Sequence, residues 1–312
     1  MNNSPPFDSL FSAIETKSVP DIRAALDAGA DANGIAPNGE LLLLKAICTG
    51  DDSVVRALLD AGANSNTQDA RGQTPLICAA GGGFVSMTEM LLKAGADPNL
   101  ADADGTTALM VATCGDYIGG GNHEPLVHLL VNAGAKVDAR NRNGRTALLC
   151  ASADPFTPAG CLHYLVEAGA DLNARDPDGN SALMIVHRYD NDTSRTFRWK
   201  MDHRLRFLES VGANDEGVDD VRLINAAERG DWDGVRSLIA KGANINHWCS
   251  GTALMAAAKA GHLPIVEALV AAGADSTVCR REGTAAEQAE ASGHTAVAVF
   301  LRQAMRLRRG EK

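Results

Sequence analysis

Gly72-Gln73-Thr74-Pro75-Leu76-Ile77-Cys78-Ala79-Ala80 is followed, ten residues on, by Met90-Leu91-Leu92-Lys93-Ala94-Gly95-Ala96-Asp97-Pro98-Asn99. Each word has a local physical meaning. Thr74 suits a helix N-cap, because its hydroxyl can accept from the free amides of the first turn. Pro75 suits the first helical position, where no amide is needed. Gly95 suits the residue that ends a helix, since glycine takes the left-handed conformation without steric cost. Together the words predict a turn, a helix, a short turn, a second helix and a loop.

Both words recur. The first returns as Gly105-Thr106-Thr107-Ala108-Leu109, Gly144-Arg145-Thr146-Ala147-Leu148 and Gly251-Thr252-Ala253-Leu254. The second, Gly-Ala followed by Asp or Asn, begins at Gly29, Gly62, Gly95, Gly169, Gly212, Gly242 and Gly273, with a lysine variant at Gly134-Ala135-Lys136. Successive glycines are 33, 33, 39, 35, 43, 30 and 31 residues apart. A period near 33 marks a stack of repeats. The words resemble the ankyrin repeat, with its motif Thr-Pro-Leu-His-x-Ala, over about residues 7 to 305. The resemblance implies an all-α ankyrin-repeat solenoid of about nine helix-turn-helix units, two of them cap-like, joined by short hairpin-like turns. One departure is consistent. Leu44, Ile77, Met110, Leu149, Met184 and Met255 stand where the motif has His, so apolar packing is expected in place of a polar network.

The 312 residues carry a net charge of −10 and only 4% aromatic side chains. The charge disfavours a nucleic-acid or anionic-membrane binder. No apolar run approaches the roughly 20 residues that span a bilayer, and Met1 to Pro6 shows no secretory signal pattern. Seven scattered cysteines imply a reducing compartment, hence a cytoplasmic location, or a host cytosol for a delivered protein. Cys78 and Cys150 read as small core residues.

The first unit, Phe7 to Asn33, lacks the Thr-Pro word and reads as an N-terminal cap; the last closes on Arg302, Arg306, Arg308 and Arg309. From each Gly-Ala glycine to the matching alanine of the next first helix is 17 residues, as from Gly62 to Ala79, but only 14 from Gly212 to Ala226. The missing residues belong to the hairpin. The expected organisation is therefore a stack over 1–214 and a shorter one over 215–312.

Departures from the period mark candidate binding loops. The fourth unit gains six residues within Cys114 to Gly121, the fifth two within Ser152 to Thr157, and the sixth ten within His187 to Trp199. All three insertions lie between the first and second helix, so stacking places them along one raised edge. They carry Tyr117, Phe156, Tyr189, Phe197 and Trp199, in a chain poor in aromatics. Aromatics with arginine are the usual anchors of interfaces; the same rings could instead cover the loops' own backbone. In the sixth unit Phe197, Met201, Leu205 and Leu208 share a helix face, with Trp199 off it. His187, Arg188, Arg195, Arg198, Lys200, His203, Arg204 and Arg206 form a basic island that would suit an acidic partner, or a solvated face.

The hairpin tips are the second candidate surface. Asp69-Ala70-Arg71-Gly72, Asp102-Ala103-Asp104-Gly105, Asn141-Arg142-Asn143-Gly144 and Asp176-Pro177-Asp178-Gly179 are turns by composition. The resemblance implies partner contacts at the tips and inner helices, hence at Arg71, Gln73, Asp104, Thr106, Arg142, Arg145, Asp178 and Asn180. Trp248, beside His247, lies in the corresponding loop of the second stack. The partner-binding candidates are thus Tyr117, Phe156, Tyr189, Arg195, Arg198, Trp199, Arg71, Asp104, Arg142, Arg145, Asp178 and Trp248.

No nucleophile elbow, phosphate loop or dinucleotide fingerprint occurs. His123 and His128 are five apart with no carboxylate completing a zinc set, so neither metal nor cofactor is expected. Asn66, Asn99, Asn173 and Asn246 each follow a Gly-Ala glycine by four residues. Such an Asn is hydroxylated in some ankyrin proteins; here turn bonding suffices to explain it. The function expected is a monomeric, non-enzymatic module that binds a protein, as adaptor, inhibitor or scaffold. A targeting or regulatory part of an effector or enzyme complex is the alternative, and an enzyme using the long loops the third.

Overall fold

The computed structural model describes residues 5–35, 39–114, 123–154, 156–188, 195–213, 216–249, 251–279 and 283–308, with side chains for all of these but 5, 6, 195–200, 202 and 308. The chain divides into two compact units, Met1–Asp171 and Leu172–Lys312. Each is a stack of helix pairs. In the first, α1 (Pro5–Glu15) pairs with α2 (Val19–Asp27), α3 (Leu42–Cys48) with α4 (Asp52–Asp60), and α5 (Pro75–Gly81) with α6 (Val85–Lys93). Then α7 (Ala108–Ala112) pairs with α8 (His123–Asn132) and α9 (Ala147–Ala153) with α10 (Ala159–Glu167). The second unit pairs α11 (Ala182–Arg188) with α12 (Arg195–Ser210), α13 (Val218–Arg229) with α14 (Trp232–Ala240), α15 (Ala253–Ala260) with α16 (Leu263–Ala271), and α17 (Ala285–Ala291) with α18 (Thr295–Arg308). Extended pairing among the described residues is limited to two bridges, Ile35 with Leu41 and Ala101 with Thr107.

The local signals act as their chemistry requires. Thr74, Thr107, Thr146 and Thr252 cap α5, α7, α9 and α15, each hydroxyl accepting from the amide three residues on. Thr284 does the same for α17, and Glu287 returns the bond in a capping box. First helices stack on first helices, α3 on α5 on α7 on α9 and α11 on α13 on α15 on α17. Small residues permit this close approach: Ala79, Ala112, Ala151 and Ala257 are fully buried. The six residues standing in for the motif's His are all buried, so the expected apolar packing is present.

The repeated Asn does more than turn its own loop. Asn66 Oδ1 accepts from Asp97 N at 2.7 Å while its Nδ2 donates to Gly95 O at 3.0 Å. Asn99 does the same with Lys136 N and Gly134 O, at 2.7 and 3.1 Å. Each such side chain therefore holds the next repeat's Gly-Ala loop. Turn bonding, the explanation offered above, is made instead by the residue two positions earlier: Asp97 Oδ1 accepts from Asn99 N at 2.8 Å. Asn99→Ala removes both inter-repeat bonds and is expected to cost about 1–2 kcal/mol, measurable as a lowered urea midpoint. An unchanged midpoint would mean water replaces the side chain without penalty.

The division expected at 214/215 falls inside the second unit, where α13 packs against both α11 and α15. All three tryptophans, Trp199, Trp232 and Trp248, belong to that unit, so their fluorescence reports on it alone. Denaturation followed by tryptophan emission is expected not to coincide with denaturation followed by far-UV circular dichroism, since stack stability is a sum over repeats and their interfaces. Coincident curves would demonstrate a single cooperative step.

Candidate protein-docking surface

The hairpin tips are built from one carboxylate or amide apiece. Asp69 Oδ1 accepts from Arg71 N and Gln73 N, both at 2.8 Å. Asp102 Oδ1 accepts from Asp104 N and Thr106 N at 2.9 and 2.8 Å, and Asn141 Oδ1 from Arg145 N at 3.0 Å. The bonds rigidify each turn and aim its third residue outward. Gly72 closes its turn at φ +73°, where a Cβ would stand 2.8 Å from Ala103 N, so the glycine is required twice over.

Successive tips are bonded edge to edge. Ala103 N donates to Arg71 O and Arg142 N to Asp104 O, both at 2.8 Å. The Arg142 guanidinium stands 3.6 Å from the Asp104 carboxylate, both well exposed. Arg71, Asp104, Arg142 and Arg145 are all exposed on this ladder. In the second unit Asp178 is exposed at the tip closed by Asp176, while Trp248 is half-buried.

The inserted loops, expected to form a raised edge, are described only in part. Phe156 is 68% exposed. Thr157 pins its loop by donating to Thr113 O at 2.5 Å, and Asp154 Oδ1 accepts from Phe156 N at 2.9 Å. Tyr117 and Tyr189 lie outside the described residues, as do the side chains of Arg195, Phe197, Arg198 and Trp199. The basic island loses two members to the core, Arg204 and His187; Arg204 is 1% exposed. The buried face of α12 runs through Met201, Arg204 and Leu208, with Leu205 half-buried, because spacings of three and four follow the helix turn whatever the residue's polarity. His187 is also buried, its ring at the end of α11.

Sequence reasoning missed a third feature, at the shortened hairpin. Arg175 donates to Gly179 O at 2.7 Å and to Glu216 O at 3.1 Å, as Gln68 donates to Gly72 O at 2.9 Å and Ala101 O at 3.0 Å. The carbonyl of Glu216 therefore takes the place of that of Ala101. Asp220, on the first turn of α13, accepts from Asn244 N at 2.7 Å and so takes the place of the bridging Asn. His247 fills the depth of the gap. Its Nε2–H donates to Asn180 Oδ1 at 3.2 Å, because Asn180 Nδ2 is turned to Asp176 at 3.1 Å. Burial holds the imidazole below its ordinary pKa against the opposing pull of Asp220, so the ring is neutral. A cavity of about 490 Å³ remains above it. The 14-residue spacing from Gly212 to Ala226 was the signal that could have located this cavity.

Among the described residues no group of three or more His, Cys, Asp or Glu side chains could hold a metal ion, and no helix is long and apolar enough to cross a membrane. A comparison with curated proteins finds no match. The family described as Ankyrin repeats (3 copies) matches residues 10–102, 43–120, 86–176 and 223–307. Those matches span most of both units, and with the capped helix pairs and hydrogen-bonded tips they lead to one conclusion: this chain belongs to the ankyrin-repeat family.

Proposed function

We propose that the chain is a non-enzymatic adaptor, inhibitor or scaffold of a reducing, cytosolic compartment, binding one protein partner. Ankyrin repeats are generic protein-interaction modules. The observation that carries the reading is the tip ladder. Its hydrogen-bonded backbone offers Arg71, Asp104, Arg142 and Arg145 as exposed charges on a rigid frame, so little conformational entropy is lost on docking. The inner first helices behind the tips extend that surface. The inserted loops are further contacts, with Tyr117 and Phe156 in the first unit and Tyr189, Arg195, Arg198 and Trp199 in the second, supported by three insertions at one position in consecutive repeats and by the exposed Phe156.

Pulldown with the full chain, followed by mass spectrometry, identifies the partner, and titration calorimetry then measures two variants. Trp199→Ala is expected to weaken binding by roughly 2 kcal/mol or more if the inserted loops hold a hot spot. Arg142→Ala with Arg145→Ala tests the ladder. Loss of binding in the arginine variant alone would confine the interface to the tips. Recovery of no stoichiometric partner would remove the proposal.

A further inference from the structure

The seven cysteines are free thiols, and four of them occupy two equivalent pairs of positions in the repeat. Cys48 stands two residues after Ala46, and Cys114 two residues after Ala112, each at the close of a first helix. Cys78 stands one residue before Ala79, and Cys150 one before Ala151, each within the first helix of the next repeat. The separations are 30 and 36 residues, and the six-residue insertion of the fourth repeat accounts for the difference. Both pairs lie in the first unit, where α3 packs on α5 and α7 on α9.

The fourth and fifth repeats bring their pair into contact. Thr113, next to Cys114, donates through Oγ1 to Met110 O at 2.8 Å and to Ala147 O at 3.3 Å, three residues before Cys150. Thr157 of the fifth repeat donates to Thr113 O at 2.5 Å, and His123 Nδ1–H of the fourth donates to Ala112 O at 2.8 Å. Cys114 is thus presented by a stretch fixed to both repeats. Its thiol donates to the Cys150 sulfur. That bond holds Cys150 below the ordinary thiol range; burial opposes it and the Arg145 charge assists it. The same bond, with burial, pushes Cys114 up. The pair therefore holds one sulfur inclined to ionise, Cys150, beside one that keeps its proton. The equivalent pair differs. Cys78 donates to Gln73 Oε1 at 3.7 Å and is pushed up to about 12, chiefly by burial, with the Cys48 charge adding. It stays a thiol, and the thiolate is the nucleophile.

We propose that Cys114 and Cys150 form a reversible redox site, oxidised by a hydroperoxide to a disulfide that ties the fourth repeat to the fifth. The Cys150 thiolate attacks one oxygen of hydrogen peroxide. The O–O bond breaks, a sulfenic acid forms on Cys150, and the hydroxide released takes up the proton that Cys150 gave, as water. The Cys114 sulfur then attacks that of Cys150. The S–S bond forms, the S–O bond breaks, and the departing hydroxide leaves with the Cys114 proton as a second water. The peroxide gains two electrons, one from each sulfur. Bonding requires the sulfurs, now in hydrogen-bond contact, to close to about 2.05 Å by side-chain rotation. Cys150 is 7% exposed, so a small oxidant is favoured, and the half-buried Cys114 resolves the sulfenic acid before it oxidises further. Disulfides of reducing compartments are characteristically transient and redox-sensing. The proposal does not depend on a protein partner.

The test treats the full chain, reduced and then freed of reductant, with hydrogen peroxide, blocks it with iodoacetamide and digests it with trypsin, which cuts between the two cysteines. Mass spectrometry is expected to find the Cys114 and Cys150 peptides joined, with fragmentation placing the bond on Cys150 and not on Cys161 of the same peptide. Dithiothreitol should separate them. Followed by circular dichroism, the urea midpoint of the first unit should rise on oxidation, because a closed loop of 36 residues restricts the unfolded chain. In Cys114→Ala the midpoint should not respond to peroxide, and dimedone should label Cys150, whose sulfenic acid then lacks the resolving thiol. Peptide mapping of the parent chain decides the proposal even where that variant folds poorly. Absence of joined peptides in the parent, a bond to Cys161, a Cys48–Cys78 bond forming first, or an unlabelled Cys150 in folded Cys114→Ala would each overturn it.

Discussion

Leu109→Ala is expected to lower the stability of the first unit by about 2–5 kcal/mol, the largest effect foreseen for a single substitution. Leu109 is 1% exposed on α7, which packs between α5 and α9. Leu76, Leu148 and Leu254 are buried at the equivalent positions. With only five residues, α7 has little hydrogen bonding of its own, so packing must hold it. Truncating the leucine removes apolar burial and leaves a cavity that neighbouring repeats can close only in part. Each repeat of a stack contacts only its neighbours, so the loss should be local. In urea, the circular dichroism transition of the first unit should move to lower denaturant while tryptophan emission from the second stays in place. Leu307→Ala is the control: that side chain is 71% exposed and its loss should stay within about 0.5 kcal/mol. A loss well under 1 kcal/mol for Leu109→Ala would mean that the fourth repeat collapses around the substitution.

The repeat, its caps and its buried positions were legible because each is a local matter. A hydroxyl before a helix, a proline at its first position and a glycine at its end act within a few residues, and recurrence at a period near 33 multiplied the signal. What was not legible depends on partners distant in sequence. The Asn four residues after each Gly-Ala glycine was visible as a pattern, but its bonds run to the next loop, 29 to 37 residues away for Asn66 and Asn99. Arg204 read as a member of a solvated basic face, since no periodicity assigns a charged residue to the interior; its burial depends on packing between helices. His247 read as a loop residue beside Trp248, whereas it crosses to Asn180, 67 residues earlier. The shortened hairpin was counted correctly from spacing. That Arg175 and Asp220 serve there as substitutes follows only from side-chain geometry.

A fall in pH from 7 to 5 is expected to remove about 2 kcal/mol from the second unit through His187 alone. The ring is 4% exposed, and its Nε2 has no hydrogen-bond partner. Burial pushes the imidazole from its ordinary 6.5 down to about 4; Arg222 adds to the shift and Asp219 opposes it. In the unfolded chain the same ring takes up a proton as pH falls through about 6.5. The folded state binds that proton only near pH 4, so the unfolded state gains an advantage throughout the interval. The stabilising contribution of the neutral ring is therefore complete above pH 6.5 and is lost progressively toward pH 4. His247, also lowered by burial, contributes in the same direction. His187→Leu should flatten the pH dependence by about the stated amount, because leucine fills similar space and cannot protonate. It should also raise stability at pH 7, since no unpartnered ring nitrogen then remains in the interior. The measurement is the urea midpoint from tryptophan emission at pH 7 and pH 5, for both proteins. An unchanged pH dependence in His187→Leu would place the acid sensitivity elsewhere, with His247 the next group to replace. A variant less stable than the parent at pH 7 would mean that the imidazole holds a hydrogen-bonded water in the folded protein.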